Sequence, residues 1–225
     1  MAKKIQETLV CDFVGGPVGH RFRSGGGRGQ ALPKAIGLKT GSNPIVVDAT
    51  AGLGRDSFLL ASLGLHVTLI ERNKEMHQHL KLGLDKARNA SDEYREIIDR
   101  MTLLYGDAKD IIPTLEPDVI LVDPMHPERK KSALVKKEMR LIREIVGTDP
   151  DAKELIEIAL NHAKKRVVLK WPMKADSIQG LKMPSHQITG KSTRYDVFIQ
   201  NYGSAHLHLF QKDIIKSLSS FHAQT

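Results

Sequence analysis

The sequence predicts an α/β fold, a mostly parallel seven-stranded sheet with helices on both faces, and three observations predict it. From Ile45 onward, short β-branched runs alternate with amphipathic segments, which is how successive βα units read in a sequence. Several strand-like runs are apolar throughout, as strands covered on both faces are. At 225 residues and 40% apolar content, the chain buries one substantial core and is short for two, so a single domain is expected.

Taken in order, residues 1–43 form a basic, Gly-rich amino-terminal segment and residues 44–225 the domain proper. The segment holds Gly15-Gly16, His20-Arg21-Phe22-Arg23 and Gly25-Gly26-Gly27-Arg28-Gly29, and residues 12–43 lack the apolar periodicity of a core element. Residues 45–47 read as the first strand, 56–63 as a helix and 66–70 as the second strand. The next helix starts at Lys74, with Asn73 as its cap and Met76, Leu80 and Leu84 on one face; a further helical piece covers 92–100. Strands at 101–104 and 118–122 flank residues 108–115, and helices at 133–146 and 152–163 precede a strand at 166–169. Residues 186–189 and 195–200 close the sheet, and 212–221 form a terminal helix.

Charge narrows the class of partner. The 34 Lys and Arg against 26 Asp and Glu give a net charge of +8, which favours a polyanion through counterion release, although many basic proteins bind no nucleic acid. A single cysteine, Cys11, excludes an intramolecular disulfide and a Cys-rich zinc site, and agrees with a reducing compartment. The first ten residues hold no apolar run of signal-peptide length, and no stretch approaches ~20 apolar residues, so a soluble cytoplasmic protein and no membrane partner are expected. The ten histidines show no metal-site spacing, and His206-Leu207-His208 reads as an exposed strand or loop, so no metal is expected.

Ligands of such sheets sit at the carboxyl ends of the strands. The first strand runs into Asp48-Ala49-Thr50-Ala51-Gly52-Leu53-Gly54-Arg55-Asp56, where Gly52 and Gly54 let backbone approach a ligand closely. A dinucleotide fingerprint would place Gly or Ala at position 57, which is Ser57 here. Asp48 and Asp56 would repel a pyrophosphate but suit a cofactor with sulfonium and ammonium groups, which favours S-adenosylmethionine over NAD. Glu71, ending the second strand, can accept from both ribose hydroxyls. After the third strand, Asp107 can accept from an adenine amino group while Ala108 leaves room for the ring. Each of these alone is more often a helix cap or turn residue than a ligand; their occurrence in order is harder to dismiss.

Asp123-Pro124-Met125-His126-Pro127, after the fourth strand, resembles the Asp/Asn-Pro-Pro-aromatic signature of methyltransferases that act on exocyclic amino groups. Such a nitrogen is a poor nucleophile, and the Asp123 carboxylate and Pro124 carbonyl can hold its hydrogens and aim it at a methyl carbon. Met125 in place of cysteine argues against a thiolate adduct.

These motifs, with Asp12-Phe13-Val14, Gly25 to Gln30, Glu71-Arg72-Asn73 and the distinctive run Lys131-Ser132-Ala133-Leu134-Val135-Lys136-Lys137-Glu138-Met139-Arg140, resemble the bacterial small-subunit ribosomal RNA methyltransferase J family over residues 12–199. The resemblance implies a Rossmann-like class I fold and N2-methylation of one guanine in 16S ribosomal RNA, with S-adenosylmethionine as donor and small-subunit RNA or the small subunit as partner. It implies cofactor contacts at Arg55, Asp56, Glu71, Arg72, Asp107, Ala108 and Asp123. Two positions depart from the family: His126 stands where Tyr or Phe is usual, and Trp171 replaces a more usual basic residue, which would shift stacking or phosphate contact there.

Candidate RNA contacts are His126, Arg129, Lys130, Lys131 and Lys136 around the catalytic loop, Arg28 in the Gly-rich stretch, and Lys170 at a strand end. The bland readings are a solvated cationic helix face, a disordered tail, against which the resemblance implies an ordered flap over cofactor or RNA, and a surface strand cap, against which Lys170 could face the pocket. Alternatives for the whole chain are an amino-methyltransferase of another RNA or DNA site, an NAD-dependent dehydrogenase, which Ser57 disfavours, and a noncatalytic ribosome-assembly factor.

Overall fold

The computed structural model describes residues 11–23, 27, 29–125, 149–190 and 192–200. Its elements are α1 (Pro17–Arg23), α2 (Ala31–Ile36), β1 (Val46–Asp48), α3 (Arg55–Ser62), β2 (Val67–Glu71), α4 (Lys74–Arg88), α5 (Asp92–Ile98), β3 (Met101–Tyr105), α6 (Ala108–Ile111), β4 (Val119–Val122), α7 (Ala152–His162), β5 (Arg166–Pro172), β6 (His186–Thr189) and β7 (Thr193–Ile199). A 3-10 turn at Ile112–Thr114 follows α6. The expected helices at 133–146 and 212–221 fall outside the described residues.

The seven strands form one sheet in the order β3-β2-β1-β4-β5-β7-β6. The pairs β2/β3, β1/β2, β1/β4 and β4/β5 are parallel, and β7 runs antiparallel to both β5 and β6. The order reverses between β1 and β4, which brings the carboxyl ends of β1, β2 and β4 around one crevice. Pairing with β7 carries β5 past Leu169 to Pro172, so Lys170 and Trp171 are strand residues rather than a strand cap.

Alternation along the central strands sends successive residues to opposite faces. Val46, Leu69 and Leu121 pack under α2 to α5, against Ile36, Phe58, Leu80 and Ile97; Val47, Ile70 and Ile120 pack under α6 and α7, against Ala108, Ile156 and Ala159. Helices therefore cover both faces. Asn73 caps α4 as its sequence suggests, its side chain accepting from the Glu75 and Met76 amides.

The expectation that residues 12–43 hold no core element is corrected. Cys11, Phe13, Leu32, Ala35 and Ile36 are all buried in the same core as β1 and β2, and Phe13 stacks on Phe58 with ring centroids 5.0 Å apart. Their apolar residues are spread over loops and two helices of seven and six residues, too short to print a period on the sequence. Among the described residues, no helix is long and apolar enough to cross a membrane.

Candidate active site

A cavity of about 340 Å³ opens at the carboxyl ends of β1, β2 and β4. Ala49, Leu53, Ile70, Ala108, Leu121 and Leu155 supply apolar walls, and the polar lining is mostly acidic: Asp48, Asp56, Glu71, Asp107 and Asp123 among others. The β1 turn shapes one side. Gly52 sits at φ +51° with open space where a Cβ would stand, its nearest neighbour there being the Thr50 carbonyl at 3.9 Å, so a ligand can come close to the backbone.

Gly54 does not act this way. It is outside the cavity lining, its N–H donates to the Ala51 carbonyl (2.8 Å), and at φ +67° its Cα faces the core, where a Cβ would stand 2.7 Å from Leu80 Cδ1. Its positive φ favours glycine there, and a side chain would press on Leu80 of α4.

Asp48 ends β1 and is buried, with Ser57 Oγ donating to its Oδ2 (2.5 Å) and the Thr50 amide to its Oδ1 (3.2 Å). Burial pushes this carboxyl up from 3.8 to about 7, against those two hydrogen bonds. Ser57, read in the sequence as a missing small residue, is thus the partner of a buried acid.

Glu71 ends β2. Its Oε2 accepts from the Gly52 amide (2.9 Å) and its Oε1 from the Asn73 amide (2.7 Å), so one carboxylate ties the β1 turn to the start of α4. Burial raises its pKa, with the two amides opposing. Each oxygen retains a second lone pair toward the cavity's ligand.

Beyond β4, the Asp123 amide donates to Thr50 Oγ1 (2.6 Å), which fixes the loop after β4 to the β1 turn. Lys170 on β5 reaches the same point. Its Nζ donates to Asp123 Oδ2 and to Asp56 Oδ2, each at 2.7 Å. Burial works against the Lys170 charge, but the two carboxylates win and hold its pKa above the usual lysine range. Asp123 in turn is pushed up by burial while Lys170 pulls it down. Lys170 faces the cavity, where its ammonium pairs with two carboxylates.

Arg72 and Asp107 both line the cavity, as expected, but Arg72 is engaged with acids that the sequence reading missed. Its Nη1 donates to Asp151 Oδ2 (2.9 Å), its Nη2 to Asp149, and Asp149 Oδ2 accepts from the Met125 amide (2.6 Å). Lys109 Nζ completes the network at Asp151 (3.0 Å) and Glu154 (2.8 Å). Asp149-Pro150-Asp151 precedes a helix and reads as an ordinary start signal, which hid its second role. Asp107 caps α6 through the Lys109 amide (2.9 Å) while lining the cavity.

The structure therefore brings together Asp48, Gly52, Arg55, Asp56, Glu71, Arg72, Asp107, Ala108, Asp123 and Lys170. Pro124 is buried and does not line the cavity. Trp171 packs in the core, its Nε1 donating to the Asp176 carbonyl (2.8 Å). Arg28, His126, Arg129, Lys130, Lys131 and Lys136 lie outside the described residues.

The lining fits a cationic nucleoside. Arg72 and Lys170 are paired within the site, so the surplus is negative, and apolar walls stand beside the carboxylates of Asp48, Glu71 and Asp107. Sheet order and cavity together define a class I S-adenosylmethionine-dependent methyltransferase, and a family model described as a putative SAM-dependent methyltransferase matches residues 1–200. The proteins named ribosomal RNA small subunit methyltransferase J from Brucella anthropi (64% identical over 201 residues, 89% of this chain and 98% of theirs) and Agrobacterium fabrum (62% over 197 residues, 88% and 95%) are similar along nearly their whole length, and the chain belongs to that family. The crystal structure of the SAM-dependent methyltransferase from Neisseria gonorrhoeae is 36% identical, with a TM-score of 0.67 over 87% of this chain and 76% of that one.

Proposed function

We propose that the chain methylates the exocyclic N2 of one guanine in small-subunit ribosomal RNA, in the cytoplasm, on the RNA or the small subunit. The observation that carries this reading is the Asp123 carboxylate, which follows β4 at the cavity and is held by Lys170 in a family whose relatives carry small-subunit RNA methyltransferase names.

S-adenosylmethionine supplies an electrophilic methyl group when bound. In this reading Glu71 takes the ribose and Asp107 and Ala108 receive the base, supported by all three lining the cavity. A guanine N2 lone pair is delocalised into the ring, so what the protein must supply is orientation. Lys170 engages Asp123 Oδ2 and leaves Oδ1 to accept an N–H of the amine, localising its lone pair toward the methyl carbon.

Deleting the gene and mapping small-subunit RNA by mass spectrometry tests the proposal. One methylguanine should disappear, and return with the wild-type gene but not with Asp123→Ala. An unchanged modification map would refute it.

A further inference from the structure

A second cavity, about 200 Å³, lies against the first and shares Asp56 with it. Its other walls come from distant parts of the chain. Gln30 ends the Gly-rich stretch, Leu32 lies on α2, Leu59 on α3, and Ser192, Thr193 and Tyr195 belong to the β6–β7 turn and to β7. Leu32 and Leu59 are buried apolar surface, while Gln30, Asp56, Ser192 and Thr193 give the cavity a polar rim. The exposed lining is more polar than apolar, which suits the hydrogen-bonding edge of a heteroaromatic ring more than its faces.

The geometry points to this cavity as the subsite for the acceptor base, a single guanine taken out of its stack, an inference that rests on the reading of the chain as an RNA guanine methyltransferase. The volume suits one base rather than a stacked pair, so the nucleotide enters alone. Gln30 stands at the cap position of α2, yet its side chain makes no capping hydrogen bond. Its amide is therefore available to donate to guanine O6, while the Asp56 carboxylate accepts from N1–H. Adenine would present an N1 lone pair to that carboxylate and is rejected there, whereas the Gln30 amide can turn its oxygen toward an amino group and does not discriminate.

Asp56 also sets the direction of delivery. Lys170 Nζ stands 2.7 Å from Asp56 Oδ2 and 2.7 Å from Asp123 Oδ2, so one ammonium separates the two carboxylates. A guanine bound to Asp56 through N1–H carries its neighbouring N2 toward Asp123 and the donor cavity.

The test uses full-length protein, small subunits from a strain lacking the gene, and S-adenosylhomocysteine calorimetry in parallel. Gln30→Leu should lower kcat/KM for the subunit by ~10- to 100-fold, because a buried polar edge loses its partner, with S-adenosylhomocysteine affinity unchanged within about twofold. Ser192 is exposed and tolerates substitution, so Ser192→Trp, which fills the cavity, should show the same split with an unchanged melting temperature. Wild-type kcat/KM in both variants would overturn the subsite alone. An equal loss of S-adenosylhomocysteine binding would assign the cavity to the donor and overturn it too. A wild-type chain that methylates no small-subunit guanine would overturn the functional reading and this subsite with it.

Discussion

Asp48 is 3% exposed, and burial holds its carboxyl near 7, well above its 3.8 in an unfolded chain. Between about pH 4 and 7 the folded protein therefore binds more protons than the unfolded one, and stability falls as pH rises through that window. Asp48→Asn should be nearly neutral at pH 4 and stabilise by about 1–4 kcal/mol above pH 7, read from urea melts at both pH values. A gain independent of pH would contradict the buried-acid account. Lys170 acts in the opposite sense, holding Asp123 down against burial. Lys170→Met should move the acidic limb of the kcat/KM profile to higher pH and cut turnover at neutral pH by ~10- to 100-fold, with Lys170→Arg restoring part of it. An unmoved limb would show that Lys170 does not set the state of Asp123. Glu71 and Asp123 were legible as strand-end acids, because position alone marks them. The partners of Lys170 were not, since Asp56 and Asp123 lie 114 and 47 residues away.

Elements with strong local signals were read correctly: β-branched runs gave the strands, and Asn73 gave the start of α4. What escaped is the docking of the amino-terminal stretch, which depends on contacts with distant helices. Gly83, in the middle of α4, shows why. A Cβ there would stand 2.3 Å from the Cys11 carbonyl oxygen, so the helix gives up a side chain to let the incoming backbone lie against it. In sequence it looks like a helix residue of poor propensity. Because the clashing atom is backbone, it cannot swing aside, and Gly83→Ala should cost about 2–4 kcal/mol in chemical denaturation. An effect within about 0.5 kcal/mol, the range of ordinary surface substitutions, would mean that the stretch is not docked there.

Two opposite charge requirements meet in the whole molecule. The chain carries a net charge of +8, while the lining of its main cavity is predominantly acidic, so a polyanion is drawn to the protein and a cation to its interior. Small-subunit binding should weaken steeply with added salt, and S-adenosylhomocysteine binding, which neutralises no phosphates, should hardly change. Parallel salt dependences, measured by calorimetry and filter binding, would argue against this division. Composition and strand order were enough to place the crevice. They could not reveal that Ser57, Thr50 and Lys170 fix its acids, or that Asp149 holds the Met125 amide, because those partners meet only once the sheet has formed. The account rests finally on methyl transfer from that crevice. In a transfer assay with labelled S-adenosylmethionine and small subunits from a strain lacking the gene, the wild-type chain should place one methyl per subunit on a guanine N2, and Asp123→Ala should be slower by at least ~100-fold. Label at another atom, or full turnover by Asp123→Ala, would contradict it.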